Sequence, residues 1–240
     1  RDPIDVTFLG VWDTVGAFGI PIKVLGLPLH TWDLFTDLTV SPNVKKAVHI
    51  VSIDETRQPF EPVLMNEKPG IIHEIWFPGV HSDVGGSYEE DYLGKLSLTY
   101  MVNQLDRYIT ENDLPKVIYN QEELEKHTLD PYLPAPEDAP LQKRCPVFHF
   151  HGLGGFSGLG TKKQVRQICV LKDGKMDKAA QPLIHQSAFD LRESRHTYGM
   201  TKGSGWLKKL LPELIRIQYN PPGIKLAKPY QIEEAHRDIY

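Results

Sequence analysis

The chain has 240 residues, 40% hydrophobic and 24% charged, with a net charge of −4 and a pI near 6.2. That length can bury a sizeable core in one large domain, and the charge excludes a broad basic surface for nucleic acid. Two cysteines, Cys145 and Cys169, give neither a disulfide framework nor a zinc spacing, and no apolar run approaches the ~20 residues needed to span a bilayer.

The chain starts at Arg1 and runs at once into a strand-like segment, so it is expected to be a fragment or a processed product. "IDVTFLGVWD" is β-branched and aromatic, and it predicts a buried strand over 5–11. "TVGAFGIPIKVLGLPLHTW" (14–32) is apolar but broken by Gly and Pro, which suits an irregular loop. "SPNVKKA" (41–47) offers Ser at an N-cap and Pro at the first helical position, a helix start. "AVHIVSIDE" (47–55) and "IIHEIWFPG" (71–79) predict two further buried strands. "LSLTYMVNQLDRYI" (96–109) predicts a helix with Leu98, Met101, Val102, Leu105 and Ile109 on one face. This rhythm implies an α/β fold with a mostly parallel sheet.

The second half is less regular. "DPYLPAPEDAPLQKRCP" (130–146) reads as an extended connection. "VFHFH" (147–151) and "QVRQICVL" (164–171) suit strands flanking the glycine-rich 152–160. "GWLKKLLPELI" (205–215) has helical periodicity interrupted at Pro212. Residues 130–240 read either as the rest of one domain or as an irregular cap or appendage.

"FPGVHSDVGGSY" (77–88) carries the chemistry. A histidine between two valines, followed by Ser, Asp and two glycines, is what a strand end displaying a reactive group looks like. In parallel sheets such groups sit just past the carboxyl ends of strands. Asp13 follows the first strand and His81 the third, so a carboxylate and an imidazole on neighbouring strand ends are expected to meet. The carboxylate would fix the tautomer and stabilise the imidazolium. Acid before histidine is also the α/β-hydrolase order. The alternative is an Asp13 that caps the next turn.

Together "FLGVWDTVGAFG", "VHIVSIDETRQPFEP" and "WFPGVHSDVGGSY" resemble the DUF2235 family, which includes the Tle1-type phospholipase effectors of type VI secretion. The resemblance covers residues 5 to about 110, with an echo in "IHQSAFDLR" (184–192). It implies an α/β-hydrolase fold lacking its first part here, with 1–240 as the C-terminal portion of one domain. It also implies a serine-type ester hydrolase of lipase or phospholipase kind, with Asp13 as triad acid and His81 as triad base. Ser87 stands where the family usually has a third glycine. The family's nucleophile lies in a G-x-S-x-G elbow upstream of "GVWDTVG". It is expected before this chain, along with the oxyanion-hole amides. The chain alone is then expected to be inactive and to pair with an N-terminal companion segment. The implied substrate is a lipid or other ester. The implied setting is a secreted effector or the cytoplasm, and no cofactor is implied.

Other residues carry weaker readings. Ser157 in "GGFSGLG" sits in a glycine loop, lacks the elbow's last glycine and follows both Asp13 and His81. A metal-dependent hydrolase would use His81 and Asp83, two apart and facing alike on an extended backbone, with Asp54, His73, His149 or His151. Otherwise Asp83 holds the His81 loop through backbone amides. Glu55 and Arg57 read as a structural ion pair, His49 as a satisfied core histidine, and the cysteines as buried thiols. The apolar loop 17–29 either packs or lines an acyl pocket. Trp206, Leu207, Leu210 and Leu211 with Lys208 and Lys209 suit a buried helix or contact with a membrane surface. A non-catalytic interaction domain on the same fold is the remaining alternative.

Overall fold

A computed structural model describes residues 4–15, 23–24, 27–28, 39–57, 60–88, 92–129, 165–193, 223–224, 227 and 229–233. The extended connection at 130–146, the "VFHFH" strand, the glycine loop with Ser157, Cys145 and the 205–215 helix lie outside these residues, as does most of the apolar loop 17–29. The strands are β1 (Leu9–Trp12), β2 (Lys23–Val24), β3 (Leu27–Pro28), β4 (Ala47–Ser52), β5 (Ile72–Phe77), β6 (Val170–Lys172), β7 (Lys175–Asp177), β8 (Leu183–His185) and β9 (Gln231–Glu233). The helices are α1 (His81–Val84), α2 (Tyr92–Glu111), α3 (Gln121–His127) and α4 (Ser187–Glu193).

Five strands form one parallel sheet in the order β1-β4-β5-β8-β9. β4 is buried at every position, as expected of a parallel strand covered on both faces. The two-residue alternation sends Val48 and Ile50, with Ile75 and Phe77 of β5, under Tyr100 and Met101 of α2. Val51 and Trp76 face the other way, into a cluster with Ile168, Ile184, Ala188 and Phe189. Strands β8 and β9 therefore share one sheet with the first hundred residues, and Ile168, Ile184, Ala188 and Phe189 share a core with them.

Several expectations are corrected. "SPNVKKA" forms a turn, not a helix. Val44 N–H donates to Ser41 O, and Lys45 N–H and Val6 N–H exchange bonds with Val6 O and Asn43 O, so pairing with the segment before β1 uses the groups a helix would need. Within 14–32, β2 and β3 form a two-residue antiparallel pair. Of 164–171, only the end is strand, in a β6–β7 hairpin outside the main sheet.

The helix at 96–109 is present and longer, but its buried face is turned. Leu98, Val102 and Leu105 are only partly covered, whereas Leu93, Ser97, Tyr100 and Gln104 are buried with Met101 and Ile109. The reason is close approach. A Cβ on Gly94 would lie 2.4 Å from Gly86 Cα, so α2 meets the α1 turn backbone to backbone. Ser97 Oγ–H donates to Val84 O at 2.7 Å across the same contact. Gly94→Ala is expected to push α1 outward and to cost about 1–3 kcal/mol. A thermal melt checks this, and unchanged stability would mean that the two segments separate freely.

Candidate functional site

Asp13 leaves the end of β1 with its N–H still on Ile50 O at 2.7 Å. Its φ of 41° lies in the left-handed region, which Asp tolerates better than most residues. This turn aims the carboxylate over the end of β4. There Ser52 donates its N–H to Oδ1 at 2.8 Å and its hydroxyl to Oδ2 at 3.2 Å. The next residue is held as well. Thr14 N–H donates to His49 Nε2 at 3.2 Å, and His49 Nδ1 donates to Glu74 Oε2 at 2.8 Å. His49 is thus a satisfied core histidine, fully buried.

His81 begins α1 after Pro78, Gly79 and Val80. Gly79 has φ 105°, and a Cβ there would lie 2.7 Å from Asp83 Cβ, so only glycine fits this turn. Gly79 N–H donates to Asp54 Oδ2 at 2.7 Å, and Val80 N–H to Asp83 Oδ2 at 2.9 Å. Asp83 therefore secures its own helix turn. The extended geometry that would face it toward a metal alongside His81 is absent, because residues 81–84 are helical. Among the described residues no three His, Cys, Asp or Glu side chains form a metal-ligand set.

His81 Nδ1 and Asp13 Oδ2 are 2.7 Å apart. A carboxylate can only accept, so Nδ1 carries the proton. β4 separates β1 from β5, so the two strand ends are not neighbours as the sequence rhythm implied. The turned Asp13 backbone closes that gap. Asp13 is fully buried, while the His81 side chain is 29% exposed. Phe60 packs against the imidazole with ring centroids 5.1 Å apart, and Arg57 stacks on Phe60 at 3.7 Å. Arg57 and Glu55 form the expected ion pair, at 2.7 Å. Among the described residues no hydrogen bond reaches His81 Nε2.

Arg166 was not singled out in the sequence. It is 6% exposed and binds both Asp13 oxygens, NH1 to Oδ1 at 2.5 Å and NH2 to Oδ2 at 3.0 Å. NH1 also donates to Ser52 O and Oγ, both at 2.7 Å, and NH2 donates to Phe60 O. The alternation in "VRQIC" was the available signal. It puts Arg166 on the inward side with Ile168, both buried, while Val165 and Gln167 are exposed. Burial alone would raise the Asp13 pKa. Hydrogen bonds from His81 and Arg166, the guanidinium charge and the Ser52 amide outweigh it and hold the carboxyl at about 2.

A second, partly buried polar cluster lies on β5, β8, β9 and α2. His73 Nε2 is 3.1 Å from Glu233 Oε2, and Tyr100 O–H donates to Glu233 Oε1 at 2.8 Å. His185 stacks on Phe77 with centroids 4.2 Å apart, and its Nδ1 accepts from Ser187 N–H and Oγ–H at the start of α4. Burial pushes the His185 pKa down to about 4, against a raising pull from Glu233. Cys169 is a buried core thiol, its pKa raised by burial and by Glu74.

The parallel α/β sheet thus carries an anchored Asp–His pair just past its strand ends. Residues 1–104 match the family described as T6SS, phospholipase effector Tle1-like, catalytic domain. The resemblance seen in the sequence motifs is established over that stretch, which contains Asp13 and His81. No curated protein and no solved structure matches the chain. Among the described residues no helix is long and apolar enough to cross a membrane.

Proposed function

We propose that the chain supplies the acid and base of a serine-type carboxylic-ester hydrolase, phospholipase-like, on an α/β-hydrolase-like fold. The observation that carries this reading is the 2.7 Å contact between His81 Nδ1 and a fully buried, multiply anchored Asp13. The match over residues 1–104 supports a lipid ester as substrate and delivery as a type VI effector.

The nucleophile is a serine in a segment preceding Arg1. Its hydroxyl would attack the ester carbonyl while His81 Nε2 takes its proton. The resulting imidazolium, held on Asp13 through Nδ1, would return that proton to the leaving alcohol. Water would then cleave the acyl-enzyme by the same route. Ser52 is unsuited to the attack, being fully buried and committed to Asp13 and Arg166.

The test is hydrolysis of a soluble short-chain ester and of phospholipid vesicles by the chain alone and by the chain with the preceding segment of its gene. The chain alone is expected to be nearly inactive, since this reading assigns the nucleophile and its oxyanion hole to the preceding segment. The assembly is expected to turn over both substrates and to keep its short-chain activity in a strong chelator. Loss on chelation with recovery on adding a divalent metal would favour a metal-dependent hydrolase at His81 and Asp83. An inactive, folded assembly would favour an interaction module.

A further inference from the structure

We infer that Arg166, from beyond the stretch that matches the phospholipase family, is a positioning residue for the Asp13–His81 pair, holding the carboxylate so that one lone pair on Oδ2 faces His81 Nδ1. The inference rests on the proposed role of Asp13 as the acid.

The geometry shows how the hold works. A carboxylate presents about four lone-pair directions. On Asp13, Oδ1 is filled by Ser52 N–H at 2.8 Å and Arg166 NH1 at 2.5 Å. Oδ2 takes Arg166 NH2 at 3.0 Å, a longer contact from Ser52 Oγ at 3.2 Å, and His81 Nδ1 at 2.7 Å. The guanidinium grips both oxygens, and a planar two-point grip fixes the rotation of the carboxylate. The guanidinium is itself fixed by Ser52 O, Ser52 Oγ and Phe60 O, at the end of β4 and in the segment that packs on the His81 ring.

Arg166 is placed for this contact and not for its own satisfaction. Its Nε is buried with no acceptor among the described residues, a costly state for a donor. Its backbone is pinned by burial of Ile168 and Cys169 and by Gly223, where a Cβ would lie 3.2 Å from Arg166 O. A buried ion pair is rarely the most stable filling for a core. Here it sets a carboxylate plane.

Proton NMR of the 240-residue chain reads this directly. The Nδ1–H of His81, bonded to a carboxylate, is expected as a low-field resonance that His81→Gln removes. Arg166→Lys keeps the charge but loses the two-point grip. The resonance should stay near its field and exchange with water several-fold faster. Arg166→Gln also removes the charge that shares the carboxylate, and the resonance should move to lower field. Backbone amide spectra establish that each variant folds, and if Arg166→Gln does not, Arg166→Lys decides. A folded Arg166→Lys chain with unchanged field and exchange, or loss of fold in both variants, overturns the positioning role. Absence of the resonance from the unmodified chain would instead remove the Asp13–His81 pair, and with it the proposed function.

Discussion

His81→Ala, introduced into the chain assembled with its preceding segment, is expected to lower kcat by about 10⁴-fold or more while changing KM little. In the proposed mechanism the histidine carries both proton transfers, so its loss would leave the serine hydroxyl un-ionised and the leaving alkoxide unprotonated. The side chain is 29% exposed at the start of a short helix, so its removal opens no cavity in the core. Asp13→Asn is expected to cost a similar factor, because an amide that donates to Nδ1 would favour the wrong tautomer. It should also weaken the fold, since it leaves the buried Arg166 guanidinium without its anion. The double variant should be scarcely worse than either single one, as two residues acting as a unit are not additive. Steady-state kinetics on a short-chain ester measure all three. A His81→Ala assembly within tenfold of the unmodified rate would end the assignment of His81 as base.

Acid is expected to unfold the chain in two stages, because His185 titrates below its ordinary range and so do the carboxyls of Asp13 and, in the His185 cluster, Glu233. His185 is held neutral, its pKa lowered from 6.5 to about 4. The unfolded chain takes up that proton from about pH 6.5 downward while the native chain refuses it. Stability is therefore lost between pH 6.5 and about 4, by about 3 kcal/mol. Glu233 in the adjoining strand moderates this by drawing positive charge toward the site, with Tyr100 and His73 the other titratable groups in the cluster. Asp13 is held ionised, its pKa lowered from 3.8 to about 2. Its contribution is complete above about pH 4 and is lost as the pH falls toward 2, by about 2 kcal/mol. Against a typical total of about 5–15 kcal/mol, the two losses together are large. Urea midpoints from pH 7 to pH 3 measure the first stage. His185→Phe should remove the slope between pH 6.5 and 4 and leave the later loss in place. An unaltered slope in that variant would show that His185 is not the responsible group.

The amino-acid sequence determined the strands that carry the chemistry and the two residues that meet at their ends. "AVHIVS" and "IHEIWF" are β-branched and aromatic runs bounded by turns, and hydrophobic period is a local property. Asp13 and His81 were legible because each stands just past such a run, in motifs similar to one family. Glu55 with Arg57, and His49 as a core residue, were legible from neighbours close in the chain or from the strand pattern. The turn at 41–47 was not, because its hydrogen bonds go to residues 4–6, which local helix-start signals do not weigh. The buried face of α2 was displaced because Gly94 and Ser97 sit where backbones touch, and apolar periodicity gives no weight to small or polar residues. Only the tertiary structure decided that β4 lies between β1 and β5, and that Asp13 crosses its end through a left-handed turn. Only it decided that Arg166, 153 positions away, grips the same carboxylate. A salt bridge between groups that distant depends on sheet order and chain return, and neither is written in any local pattern.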